Sequence, residues 1–223
     1  MIKGIFFDAA GVLYRRAEST ENFARDLVKQ NGFATDISSE NLELQKSLRV
    51  QASQGQLSHE TYWDRFLSWR GVANPDQRKK FIAQILEYSN DVLQVPGNRE
   101  ALTGLKQRGF VLGIITDTMY PLEWKMRWLA KVGGAEFIEV VACSTVLGAH
   151  KPNPAMYLNA LGQARLTPSE SAFVGHDAGE IQGAHQAGMT TVAVNYDPGT
   201  HADFYAQSLM DLLNVPIFQI PSI

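Results

Sequence analysis

The order of apolar and polar positions divides the chain into two regimes. Ile2 to Phe7 is a short apolar run rich in β-formers, ended by Asp8-Ala9-Ala10-Gly11, and it reads as a strand entering a turn. From 17 to 92 the period changes. Four amphipathic stretches, roughly 18–31, 39–54, 58–70 and 75–90, are separated by Asn31-Gly32, by Gly55 and by the segment Gly71 to Pro75. Ser58 ahead of Glu60, and Asn74-Pro75 ahead of Asp76, are helix starts. There a side-chain oxygen accepts from a free N–H, and proline gives up no bond in a first turn. No strand-like run interrupts this region, so a small helical bundle is predicted.

After Val95-Pro96-Gly97 strands and helices alternate. A helix over 98–108 ends at Gly109 and a strand follows from Phe110 to Ile115. A helix over 121–132 ends at Gly133-Gly134, ahead of the run Ile138 to Ala142. Another helix begins near Pro152 to Pro154, then come a strand Ala172 to Gly175, a helix over 178–187 and a strand Thr191 to Asn195. The tail HADFYAQSLMDLLNVPIF reads as a final helix and a short strand. Such alternation predicts an α/β fold, a doubly wound parallel sheet with helices on both faces. The expected division is a core of 1–15 and 93–223, with 16–92 inserted as the helical bundle.

Composition narrows the function classes. Four Trp, eleven Phe and seven Tyr are ample for a core, and a net charge of −3 with interspersed signs argues against nucleic acid as a partner. No apolar stretch approaches the roughly 20 residues that cross a bilayer, and the opening MIKGIFFDAAG, with an acid directly after its apolar run, is unlike a signal peptide. Cys143 is the single cysteine, so no intramolecular disulfide forms; a buried position and a reducing compartment are expected. The expectation is a soluble, cytoplasmic protein.

In open parallel sheets ligands bind at the carboxyl ends of strands. The polar residues at those ends are Asp8, Thr116 with Asp117, and His176 with Asp177 and Glu180, while Lys151 precedes a helix with its prolines. Each alone has a structural explanation: a turn, a cap, a surface lysine, acids at a helix start. In order, however, IFFDAAGVL, LGIITD, GAHKPNPAMY and FVGHDAGEIQGAHQAG resemble the four motifs of the haloacid dehalogenase superfamily. The helical region resembles the cap of the branch (C1) that inserts after the first motif.

The resemblance implies a Rossmann-like core under a helical cap, and a hydrolase in which Asp8 forms a covalent aspartyl intermediate that water then cleaves. Thr116 and Lys151 would bind phosphoryl oxygens and offset their charge. Mg²⁺ would be held by Asp8, the backbone carbonyl of Ala10, Asp177 and Glu180. Asp117, and Arg15 and Arg16 where the chain enters the cap, are expected to bind substrate, in the first place a small phosphorylated metabolite.

Two positions depart from the pattern. Ala10 stands where the family's phosphatases carry a general acid/base aspartate, whose help is typically worth about 10²–10⁴-fold. His176 stands at the first acidic position of the fourth motif, and a hard Mg²⁺ prefers oxygen ligands. Two alternatives therefore stay open: a carbon-centre hydrolase, as in the metal-free haloacid dehalogenases or the phosphonoacetaldehyde hydrolases with their cap lysine, and a non-catalytic binding protein. Lys29, Lys46, Lys79 and Lys80 lie on charged helix faces, where solvation is expected rather than imine chemistry. Tyr62, Trp63, Phe66 and Trp69 recur at helical spacing and are expected to pack a core.

Overall fold

The computed structural model describes residues 1–219. Strand β1 (Gly4–Phe7) leads through a loop to the two-residue strand β2 (Tyr14–Arg15) and then to four helices: α1 (Thr20–Gln30), α2 (Ser39–Ser53), α3 (His59–Ser68) and α4 (Pro75–Ser89). Ser19, Ser38, Ser58 and Asn74 each accept a backbone N–H of the first turn, so all four starts are set by local side chains. Strand β3 (Leu93–Gln94) returns antiparallel to β2 and ties together the two ends of the insert. Two residues are too few to leave a periodic signal, and the ribbon was not foreseen.

The chain continues as α5 (Asn98–Gln107), β4 (Val111–Thr116), α6 (Leu122–Lys131), β5 (Val140–Cys143), the short α7 (Ser144–Leu147), α8 (Pro154–Ala164), β6 (Ser171–Gly175), α9 (Ala178–Gln186), β7 (Thr190–Val194) and β8 (Phe204–Ala206). Six strands form one parallel sheet in the order β5-β4-β1-β6-β7-β8. The path moves outward from β1 to β4 and β5, then crosses to β6, β7 and β8 on the other side. β1 is therefore the switch point, and its carboxyl end opens the crevice in which α/β sheets bind ligands.

Alternation along the strands supplies both faces. Ile5 and Phe7 join Leu112, Ile114 and Val174 under α5 and α6, whereas Phe6 joins Ile115 and Phe173 under α8 and α9. The insert has an apolar centre of its own, built on Val28, Tyr62, Trp63, Phe66, Phe81 and Ile85; Trp69 is only half-buried. Cys143 is buried at the end of β5.

The tail departs from expectation. The strand comes first, β8 against β7, and 3₁₀ turns at Met210–Asn214 and Pro216–Phe218 replace the helix. Buried Leu209, Leu212, Val215 and Phe218 recur every three residues, which matches the 3₁₀ period and not that of an α-helix. Among the described residues no helix is long and apolar enough to cross a membrane.

Candidate active site

Asp8 follows β1 directly. Its N–H donates to the Val174 carbonyl at 2.9 Å, which fixes the backbone between β1 and β6. Its Oδ1 accepts from the Ala9 N–H at 2.8 Å and from Lys151 Nζ at 2.7 Å, and its Oδ2 lies 3.5 Å from His176 Nε2. Burial pushes this carboxyl up, but the Lys151 charge and the His176 and Lys151 contacts outweigh it and hold Asp8 at about 2. It is an ionised carboxylate with only 5 % of its surface exposed.

Lys151 is the hub. Its side chain has no exposed surface, and Nζ also donates to Glu180 Oε2 at 2.7 Å. Its backbone N–H points at both carboxylate oxygens of Asp117, each at 3.2 Å. Burial opposes the Lys151 charge, but the Asp8, Glu180 and Asp117 carboxylates keep it protonated, well above the usual lysine range. One ammonium cannot neutralise three acids. Burial, and then the Asp8 charge, push Glu180 up to about 7 against the pull of Lys151, and burial likewise raises Asp117. Asp8 keeps the charge and Glu180 yields it.

Thr116 ends β4 fully buried, and its Oγ1 has no hydrogen-bond partner. An orphaned hydroxyl in such a place costs free energy unless something arrives to bind it.

The expected metal ligands do not converge. Asp177 caps α9, with Oδ1 accepting the Glu180 N–H at 2.9 Å, and Glu180 itself is tied to Lys151. The His176 imidazole lies against the loop that follows β1: a Cβ on Gly11, whose φ is +83°, would meet His176 Nε2 at 2.6 Å. Interaction with Asp8 raises the imidazole above its usual range, against burial. Mg²⁺ requires a close octahedron of oxygens. The Ala10 carbonyl and Asp8 with an imidazole beside them do not fit it, and among the described residues no three His, Cys, Asp or Glu side chains are grouped to hold a metal ion.

Between core and insert lies a cleft of about 260 Å³, floored by Ala10, Asp117 and Thr118. Arg16, Arg49 and Lys125 supply its positive charge; Tyr14, Trp63, Tyr120 and Trp128 line its walls. Arg16 donates to the Ser89 carbonyl and stacks 4.5 Å above the Trp128 ring. Arg15 is exposed and does not line the cleft, because β2 alternates and turns its neighbour Tyr14 inward. Lys29, Lys46, Lys79 and Lys80 are exposed. A larger hollow of about 430 Å³ lies beside α9 and residues 199–203, but none of Asp8, Ala10 or Asp117 lines it.

Two cleft residues escaped the sequence reading. Lys125 is 2 % exposed, and its Nζ donates to the Tyr14 hydroxyl at 2.7 Å. A signal existed: Lys125 lies three and four residues ahead of Trp128 and Leu129, on the buried face of α6. Arg49 comes from α2 and is paired with Glu21, which also accepts from the Tyr62 hydroxyl at 2.5 Å. Nothing local in α2 marks Arg49, since only the packing of α2 brings it over the core.

A parallel sheet with a buried, lysine-bound carboxylate at its switch point, and a cationic cleft lined by the neighbouring Ala10 and Asp117, is the arrangement of an α/β-type hydrolase. The sequence profile described as Haloacid dehalogenase-like hydrolase matches residues 5–194, and the chain belongs to that family. It is 28 % identical over 230 residues to glyceraldehyde 3-phosphate phosphatase of Methanopyrus kandleri, covering 99 % of this chain and 93 % of the relative. Over 121 residues it is 30 % identical to N-acetylmuramic acid 6-phosphate phosphatase of Pseudomonas aeruginosa, covering 53 % and 52 % of the two chains. The fold is shared with a 2-haloacid dehalogenase from Pseudomonas syringae pv. Tomato DC3000, at a TM-score of 0.69, 24 % identity, and 96 % and 97 % coverage. It is shared equally with a predicted phosphoglycolate phosphatase from Haemophilus somnus, at 0.69, 23 %, 96 % and 97 %.

Proposed function

We propose that the chain is a cytoplasmic hydrolase of small phosphorylated metabolites in which Asp8 attacks phosphorus. The observation that carries this reading is Asp8 itself, buried yet ionised, with Lys151 on one oxygen and His176 beside the other. In the first step an Asp8 oxygen bonds to phosphorus and the ester P–O bond breaks, releasing the leaving group as an alkoxide that takes a proton from water. In the second step water adds to phosphorus, the aspartyl P–O bond breaks, and inorganic phosphate leaves with Asp8 restored. Lys151 offsets charge on the transferring group, and the free Thr116 hydroxyl offers a hydrogen bond to one of its oxygens.

Residues 16–92 act as the cap, and the cationic cleft beneath them takes the rest of the substrate. At about 260 Å³ it suits an organic moiety of a few carbons. Phosphatase relatives support the phosphoryl substrate. With a methyl group at Ala10 the leaving oxygen receives no side-chain proton, so turnover is slow.

A second reading has one observation in its favour. The imidazole at the metal position suits displacement at carbon, where a halide leaves without a proton or a cation. The deciding experiment measures phosphate release from a panel of phosphorylated metabolites and halide release from 2-haloacids, each with Asp8→Asn as control. Phosphate release that disappears in Asp8→Asn supports the first reading. Halide release alone transfers the case to the second, and turnover of neither refutes both.

A further inference from the structure

We infer that the His176 imidazole takes the place of a divalent cation in this site, so that Asp8 works without a metal. The inference rests on Asp8 being the reacting carboxylate, as proposed above.

The first argument is occupancy. A buried carboxylate is held in one orientation when each of its oxygens has a nitrogen partner. Oδ1 has the Lys151 ammonium at 2.7 Å, and Oδ2 has the His176 ring at 3.5 Å. The second is space. Gly11 at φ +83° leaves room that the ring fills: a Cβ there would meet Nε2 at 2.6 Å and Cδ2 at 2.8 Å. Gly11 adjoins Ala10, so the ring lies beside the very backbone segment whose carbonyl would bind a cation.

The third argument is that the remaining acids are committed elsewhere. Asp177 closes the first turn of α9 and Glu180 holds Lys151. The backbone keeps this arrangement in place, since the Asp197 N–H donates to the His176 carbonyl at 3.1 Å and anchors the segment to the loop after β7. The His176 side chain is 30 % exposed, so the ring is only partly enclosed by the loop and Asp8.

The replacement is positional. His176 forms no covalent bond, and its role is to hold the place beside Oδ2 and orient the Asp8 carboxylate. The test uses the full chain and reads metal binding directly, by the loss of the free Mn²⁺ signal in electron paramagnetic resonance with Mg²⁺ as competitor. Wild type is expected to bind no Mn²⁺ at millimolar concentration. His176→Asp, which restores an acid at this position, is expected to bind at least about tenfold more tightly. Turnover by wild type is expected to be unchanged by a chelator.

One-to-one binding of Mn²⁺ by wild type, displaced by Mg²⁺ and lost in Asp8→Asn, overturns the inference whether or not the variant at His176 folds. A folded His176→Asp that binds no better than wild type overturns it too. Neither result touches the hydrolase reading, which stands or falls on turnover in Asp8→Asn.

Discussion

Replacing Lys151 with Met removes the one charge that Asp8, Glu180 and Asp117 share. Methionine keeps the unbranched apolar stem, so the loss is mainly electrostatic. The ammonium is fully buried, with Asp8 and Glu180 each at 2.7 Å, and without it Asp8 would keep only the His176 ring at 3.5 Å while both carboxylates stay desolvated. Deleting one partner of a buried pair costs about 3–5 kcal/mol. At about 2–4 °C per kcal/mol for a chain of this size, Tm at pH 7 should fall by roughly 6–20 °C.

The loss carries a pH signature. Lowering Asp8 from 3.8 to about 2 corresponds to about 2.5 kcal/mol of stability, present above pH 3.8 and lost as the pH falls towards 2. In Lys151→Met burial raises Asp8 instead, so the gap to wild type should narrow as the pH falls through that raised value and go on narrowing from 3.8 towards 2. Thermal unfolding followed by circular dichroism between about pH 3 and pH 8 measures both effects. A Tm drop under about 2 °C at pH 7, or a gap that ignores pH, would refute the assignment of Lys151 as the hub.

Glu180→Gln should change the pH dependence in the opposite sense. Held at about 7 instead of 4.5, Glu180 binds its proton more tightly when folded, so wild type loses stability as the pH rises from 4.5 through 7, and the variant should lack that slope in the same unfolding series. Ala10→Asp should raise kcat for phosphate release by about 10²–10⁴-fold, and an unchanged kcat would mean that protonation of the leaving group does not limit the rate. Arg49→Ala should raise KM several-fold while Tm shifts by less than about 4 °C, because its pair with Glu21 lies at a half-open surface. Arg15→Ala should leave KM unchanged, and a rise would place Arg15 in the cleft after all.

Much of this molecule was legible before folding because the relevant signals are local. The capping residues Ser58 and Asn74 begin helices where they were expected, and the apolar runs ending at Asp8, Thr116 and Gly175 became neighbouring strands. Strand ends placed Asp8 and Thr116 at one end of the sheet, because parallel strands deliver their carboxyl ends together, and the order of the four motifs added Lys151. The tail differs from the expected helix and strand because Leu209, Leu212, Val215 and Phe218 are buried at a spacing of three, which suits 3₁₀ turns.

What remained for the tertiary structure were relations between segments far apart in sequence. Asp177 caps α9 through a local contact, whereas only the packing of α9 turned Glu180 onto Lys151, 29 residues away. Arg15 and Arg16 are adjacent, and the pleat of β2 decided which of them meets the cleft. Arg49 and Lys125 enter it from α2 and α6, elements far apart in the chain. The sequence alone determined which residues end the strands, since periodicity is written in neighbours. Which charge faces which was decided by the fold, since Coulomb and desolvation energies depend on distances and burial that exist only once the chain has closed.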